Sequence, residues 1–217
     1  MKNPIANFHA LRLAELKETL EANNFEVFIA DSADHAKEIV VNEIIPAAKP
    51  TTIAWGGSMT LMDSGIPEAL KADDALDVID AKEEGIAPEE KATRIKRAMT
   101  ADVYFTGTNA ITEQGFLVNL DMVGNRVGAL TFGPKNVIVL AGQNKWTADI
   151  ESAMARIKEY AAPTNAMRLD MKTPCVKTGY CMDCNSPQRI CNTWTITEKS
   201  FPQNRVKIVL IKEEMGL

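Results

Sequence analysis

"TTIAWGGSMTLMDSG", Thr51 to Gly65, is the stretch on which the fold turns. Thr51 to Trp55 is rich in β-branched and aromatic residues and is strand-sized. Gly56 and Gly57 close it, and Ser58 stands where a helix N-cap would stand. Strand, tight turn and helix in immediate succession are half of a βαβ unit, which builds a parallel sheet.

The same alternation runs to either side. Phe8, Leu11, Leu13, Leu16 and Leu20 form a helical stripe within Ile5 to Ala22. "FEVFIA" (Phe25 to Ala30) reads as a strand, and Asp31 and Ser32 can cap a helix over Ala33 to Ile44. "ALDVID" (Ala75 to Asp80) is a strand. A helix follows with Pro88 at its start and acids in its first turn, then the strand "DVYFTG" (Asp102 to Gly107). Beyond it, glycine and asparagine punctuate shorter pieces. We read hairpin-like strands at Ala110 to Thr112, Phe116 to Leu120 and Val127 to Thr131, then a buried strand at Asn136 to Leu140. Asp149 to Ala162 is a helix, and "NTWTITEK" and "RVKIVLIKE" form a closing pair of strands. The expectation is one α/β domain over residues 1–217: a mainly parallel central sheet flanked by helices, a small strand-rich insertion, and a Cys-rich loop at 173–192.

Composition narrows the function. Of 217 residues, 46% are hydrophobic and 24% charged, enough for a sizeable core and against disorder. The net charge of -5 argues against nucleic acid as a partner. No stretch is long and apolar enough for membrane insertion, and the first residues lack a signal-peptide core. A cytoplasmic protein is expected, and a homo-oligomer.

Three segments carry candidate chemistry. Gly56, Gly57 and Ser58 offer backbone N–H groups and a hydroxyl to an anion, or simply make an ordinary turn and cap. Gly107, Thr108 and Asn109 fall at the carboxyl end of a strand, where ligands of open α/β sheets bind. Glu113, shortly after, is the carboxylate available as base or nucleophile. Arg126 can clamp a carboxylate bidentately or pair internally with Asp121. Lys145, after the strand from Asn136, balances an anionic ligand or is a solvated loop lysine. His9 and His35 match no zinc spacing.

All four cysteines fall in one segment, spaced Cys175-x5-Cys181-x2-Cys184-x6-Cys191. A CxxC pair with a thiol on each side fits zinc or an iron–sulfur cluster, although the gaps match neither a ferredoxin run nor a zinc ribbon. Redox-active thiols and a purely structural role stay open.

"AWGGSMTLMDSGI", "ADVYFTGTNAITEQGFLVNLDMVGNRVGALTFGPKNVIVLAG" and "APTNAMRL", with the cysteine segment, resemble the LUD-domain (lactate utilization) family. The resemblance implies a NagB/RpiA/CoA-transferase-like fold and a part in oxidation of L-lactate to pyruvate beside iron–sulfur partner proteins. It brings no assigned catalytic set. "TEQG" around Glu113 is similar to the Glu-bearing stretch of some CoA transferases, departing at two of four positions. A CoA-transferase- or sugar-phosphate-isomerase-like enzyme, or a non-catalytic partner-docking subunit, are the alternatives. The expected ligand is a small anionic metabolite.

Overall fold

The computed structural model describes residues 3–217. Among the described residues there are ten strands: β1 Glu26–Ala30, β2 Thr52–Trp55, β3 Asp77–Ile79, β4 Val103–Gly107, β5 Ala110–Thr112, β6 Leu117–Asp121, β7 Asn136–Gly142, β8 Trp146–Thr147, β9 Thr193–Thr197 and β10 Val206–Ile211. Six of them form one sheet in the order β1-β10-β7-β4-β2-β3, every pair parallel. All six carboxyl ends therefore open on one edge.

Period two places alternate side chains of these strands in opposite layers. Val137, Val139 and Ala141 of β7 pack with Leu13, Leu16 and Leu20 of the helix Pro4–Ala22. Ile138 and Leu140 face the other way, onto Ile39, Val40 and Leu61. Each such aliphatic side chain contributes roughly 1.5–3 kcal/mol on burial. Asp102 ties the opposite, amino-terminal edge. Its Oδ2 accepts from the amides and hydroxyls of Thr51 and Thr52 at 2.8–3.1 Å, and Lys135 reaches its Oδ1 at 2.7 Å.

The remaining four strands form a second sheet, β8-β5-β6-β9, on which the helix beginning at Ile150 packs through Ala153 and Ile157. Here two expectations are corrected. β9 and β10 are not a pair: β9 joins β6, whereas β10 lies between β1 and β7. β10 is buried on both faces and β9 is half exposed, which is the physical difference between a central parallel strand and an edge strand. Val127 to Thr131 is not a strand but part of a helix, Asn125–Thr131. Gly124, at φ +94°, makes the entry turn, and Asp121 Oδ1 accepts from the amides of Val123 and Gly124 at 3.0 and 2.8 Å. Arg205 then donates to the carbonyls of Ala129 and Leu130, both at 2.7 Å, closing its far end.

Two helices outrun the sequence reading in the same way. The expected ends, Ile44 and Ala162, fall just before Pro46 and Pro163. The chain instead continues helically to Ala48 and to Arg168. In both, one π turn precedes the continuation, Val40–Ile44 and Ile157–Ala161. A proline withdraws an amide and crowds the carbonyl four residues back, and a widened turn absorbs that conflict. No described helix is long and apolar enough to cross a membrane.

Candidate functional site: a cationic cleft at the carboxyl edge

At the carboxyl edge of β2 and β4 the two sheets leave a cleft of about 500 Å³. Gly56, Gly57, Ser58, Gly107, Thr108, Asn109, Arg126 and Lys145 all line it. The glycines are there for space. A Cβ on Gly56 would lie 2.7 Å from both Arg126 Cγ and Tyr104 Oη, and one on Gly107 would lie 2.6 Å from Ser58 Oγ. Ser58 caps through Oγ, which accepts from Leu61 N at 3.2 Å. The helix it caps is a single turn, Met59–Met62. So short a helix has little macrodipole, and the field in the cleft comes from side chains instead.

Asn109 and Asn119 brace the floor reciprocally. Asn109 N donates to Asn119 Oδ1 at 3.2 Å, and Leu120 N donates to Asn109 Oδ1 at 3.0 Å. Thr108 Oγ1 donates to Ala110 O at 3.0 Å. Arg126 lies across this floor. Its Nε stands 2.9 Å from Asp121 Oδ2, an ion pair poorly aligned as a hydrogen bond. Its Nη2 donates to Leu120 O at 3.1 Å and Asn109 Oδ1 at 3.3 Å. Most of the guanidinium is thus spent inside the protein, and what it lends the cleft is charge more than a free fork.

Lys145 is no solvated lysine: it is 4% exposed, and its Nζ donates to Thr60 Oγ1 at 2.8 Å. Burial, then the charges of Arg156 and Arg126, lower its pKa to about 7. Lys82, just beyond β3, is also lowered, first by burial and next by Arg168. Burial is the larger cause of both shifts, and neighbouring cations add to it. Lys82, Lys91, Arg126 and Arg168 line the cleft as basic side chains together with Lys145, which titrates near neutrality, against one acidic side chain, Asp121, which Arg126 already engages.

Lys82, Lys91 and Arg168 escaped the sequence reading. Lys82 had a signal, since it follows a strand's carboxyl end as the other candidates do. Arg168 had none, because it lies on the helical turn beyond Pro163.

Glu113 does not belong to the cleft. It pairs with Arg12, is more than half exposed, and lines a separate hollow of about 140 Å³ with Glu15 and Leu16. Its amide bonds Thr147 O at 3.0 Å, which carries it past the end of β5 and away from the edge where β2 and β4 finish.

The cysteine segment forms a wall between two spaces. Cys175, Cys181, Cys184 and Cys191 are unpaired and partly exposed, and all four line one hollow of about 20 Å³. Cys191 also lines the large cleft. Burial pushes its thiol pKa up, against the pull of Lys158. Among the described residues no three His, Cys, Asp or Glu side chains are placed to hold a single metal ion.

A six-stranded parallel α/β sheet with an anion-attracting cleft at its carboxyl edge is the class these features define. Residues 13–211 match the LUD domain, and the chain belongs to the LUD-domain family. It is similar in fold to a DUF162 family protein of Deinococcus radiodurans, at 14% identity, TM-score 0.50, over 93% of this chain and 97% of that one. Ribose 5-phosphate isomerase A of Neisseria gonorrhoeae aligns at 12% identity and TM-score 0.34, over 56% of this chain and 57% of that one. No curated protein matches the chain.

Proposed function

We propose that this chain takes part in the oxidation of L-lactate to pyruvate, or of a related small 2-hydroxy acid, with iron–sulfur partner proteins accepting the electrons. The cleft holds the acid. The observation that carries the reading is the charge imbalance: five basic side chains, one of them titrating near neutrality, face a space whose one acidic side chain is already paired. A carboxylate ligand offsets that field where water alone does so poorly. The apolar wall of Leu120 and Ile157 suits a short carbon chain. Oxidation of the hydroxy acid releases two electrons and two protons, so an acceptor outside the substrate is required.

Thermal unfolding with millimolar L-lactate or pyruvate tests this. Ligand at a hundredfold excess over Kd stabilises by about 2.7 kcal/mol, an easily read rise in Tm. Lys82→Gln and Arg168→Gln reduce the rise. A flat response across a panel of small hydroxy and oxo acids overturns the reading.

The size of the imbalance favours one second reading, a ligand with more negative charge, such as a sugar phosphate or a CoA ester. The cleft, at about 500 Å³, is roomy for a three-carbon acid. Sugar phosphates and CoA esters in the same panel separate the two. A thioester on Glu113 draws no support, given its place outside the cleft.

A further inference from the structure

We propose that Cys175, Cys181, Cys184 and Cys191 ligate one iron–sulfur cluster set into the wall of the cleft, with Cys191 at the boundary between the two. This does not depend on what the cleft binds. It rests on how the segment from Thr173 to Asn192 is built.

The four thiols come from 17 residues of chain yet surround one hollow. The turn between Cys181 and Cys184 is already shaped as a ligand knuckle. Asp183 N points at Cys181 Sγ, 3.4 Å away, with Asp183 at φ 44°. An amide aimed at sulfur stabilises a thiolate and tunes a cluster bound through it. Thr173 Oγ1 lies 3.2 Å from Cys175 Sγ, a second polar partner.

Arg189 fixes the relative positions of the ligands. Its Nε donates to Cys191 O at 2.8 Å and its Nη1 to Cys184 O. Its Nη2 meets Asp183 Oδ1 at 2.9 Å, and Lys158 reaches the same oxygen at 2.8 Å. Lys158 and Arg189 line the same hollow as Cys181, Cys184 and Cys191. Four thiolates around a cluster leave net negative charge, and two cations at its rim offset it. Lys158 lies in the π turn Ile157–Ala161.

The choice of a cluster over zinc comes from spread. A zinc ion sits about 2.3 Å from each thiolate, which draws its four ligands onto one small sphere. Among the described residues no three such side chains are gathered around one point in that way. A cubane places its own irons and sulfides between the thiolates and takes a wider ring. Here the exposed Met182 forms part of the wall of the hollow, so that side of the ring faces solvent and is not closed by packed core.

The experiment is purification of the full chain without oxygen, then reconstitution with ferrous iron and sulfide under thiol reductant. Expected are a brown protein, iron and acid-labile sulfide in equal amounts, and a visible band that bleaches on reduction. Cys181→Ser and Cys184→Ser lose most of the iron while keeping the far-UV circular dichroism of the parent. Both positions are partly exposed, so the fold tolerates serine there. A double variant of His9 and His35 to Gln, which lie outside the segment, retains its iron. Stoichiometric zinc that iron does not displace overturns the proposal. So do four titratable thiols with no bound metal after reconstitution, a disulfide between Cys181 and Cys184 as the stable state under reductant, or serine variants with undiminished iron.

Discussion

Ser58 Oγ occupies the space a side chain on Gly107 would need, 2.6 Å from the place of its Cβ. The hydroxyl is held there by its cap to Leu61 N, and Leu140 O crowds the same point from behind at 3.4 Å. Gly107→Ala is therefore an overpacking change in the buried floor of the cleft, expected to cost about 1–3 kcal/mol. Urea unfolding measures it. Ser58→Gly in the same chain restores part of the loss, because the colliding atom is gone. Equal stability of Gly107→Ala and the parent would show that the floor is looser than this packing.

The ion pair of Asp121 and Arg126 fixes the next floor element. Both side chains are largely buried, at 4% and 13% exposed. Asp121 also accepts from the amides of Val123 and Gly124, which hold the entry of the helix Asn125–Thr131. Asp121→Ala leaves a guanidinium unmatched in a site already rich in positive charge. The expected cost is about 3–5 kcal/mol, the range for breaking a buried pair from one side. Arg126→Met with Asp121→Leu, which removes both charges, loses less than Asp121→Ala alone. Chemical denaturation of the two variants checks the order.

These same residues show what a sequence can and cannot disclose. The parallel sheet was legible because β2, β4 and β7 are short apolar runs whose two faces are both buried, and strand-then-helix order follows directly from residue spacing; β10 was legible as a strand but not as a member of this sheet, since no helix precedes it to mark a crossover. The cleft was legible in part for the same reason: Gly56 follows β2, Gly107 ends β4 and Lys145 comes soon after β7, and these parallel strands end on one edge. Glu113 was misplaced since β5, a strand of three residues, turns into the second sheet, and local spacing does not say which sheet a strand joins. Val127 to Thr131 was misread because β-branched residues also suit a short helix once Gly124 and Asp121 supply its entry. The helical turns beyond Pro46 and Pro163 were hidden by a local rule that π turns override, and with them went Arg168.

Asp102 predicts an acid limb. Lys135, then the hydroxyl and amide of Thr51 and the amide of Thr52, hold its carboxyl well below the usual carboxylate range. A carboxylate depressed on folding contributes stability that is fully present above the unfolded value, 3.8, and is lost as pH falls toward the folded one. Removing the acceptor leaves two amides at the base of β2 without it. Asp102→Ala is expected to cost about 1.5–3 kcal/mol at neutral pH, in line with hydrogen bonds to a charged group. It also flattens the fall in Tm below pH 4. A variant with the parent's acid profile would assign that limb to other carboxylates.

Lys145 predicts the opposite limb, and its sign follows from which state keeps the proton. In the unfolded chain the amine titrates near its ordinary value, 10.5, whereas in the folded protein it does so at about 7. Below pH 7 both states are protonated, and the fold bears the whole cost of a buried ammonium. Between about 7 and 10.5 the unfolded chain holds a proton that the folded one has released, so stability rises with pH through that window. The difference amounts to a few kcal/mol, on the order expected for a lysine this deeply buried. Lys145→Met removes the penalty and with it the dependence. Urea unfolding at pH 7 and pH 9 should show a gain for the parent that the variant lacks. Anion binding carries the same proton in reverse. A ligand that stabilises the ammonium draws a proton onto Lys145 near neutral pH, so its affinity falls as pH rises above 7. Titration calorimetry in buffers of different ionisation enthalpy reads that uptake directly. Uptake that persists unchanged in Lys145→Met would move the titrating group elsewhere in the cleft, with Lys82, the other lysine lowered there, the next to test.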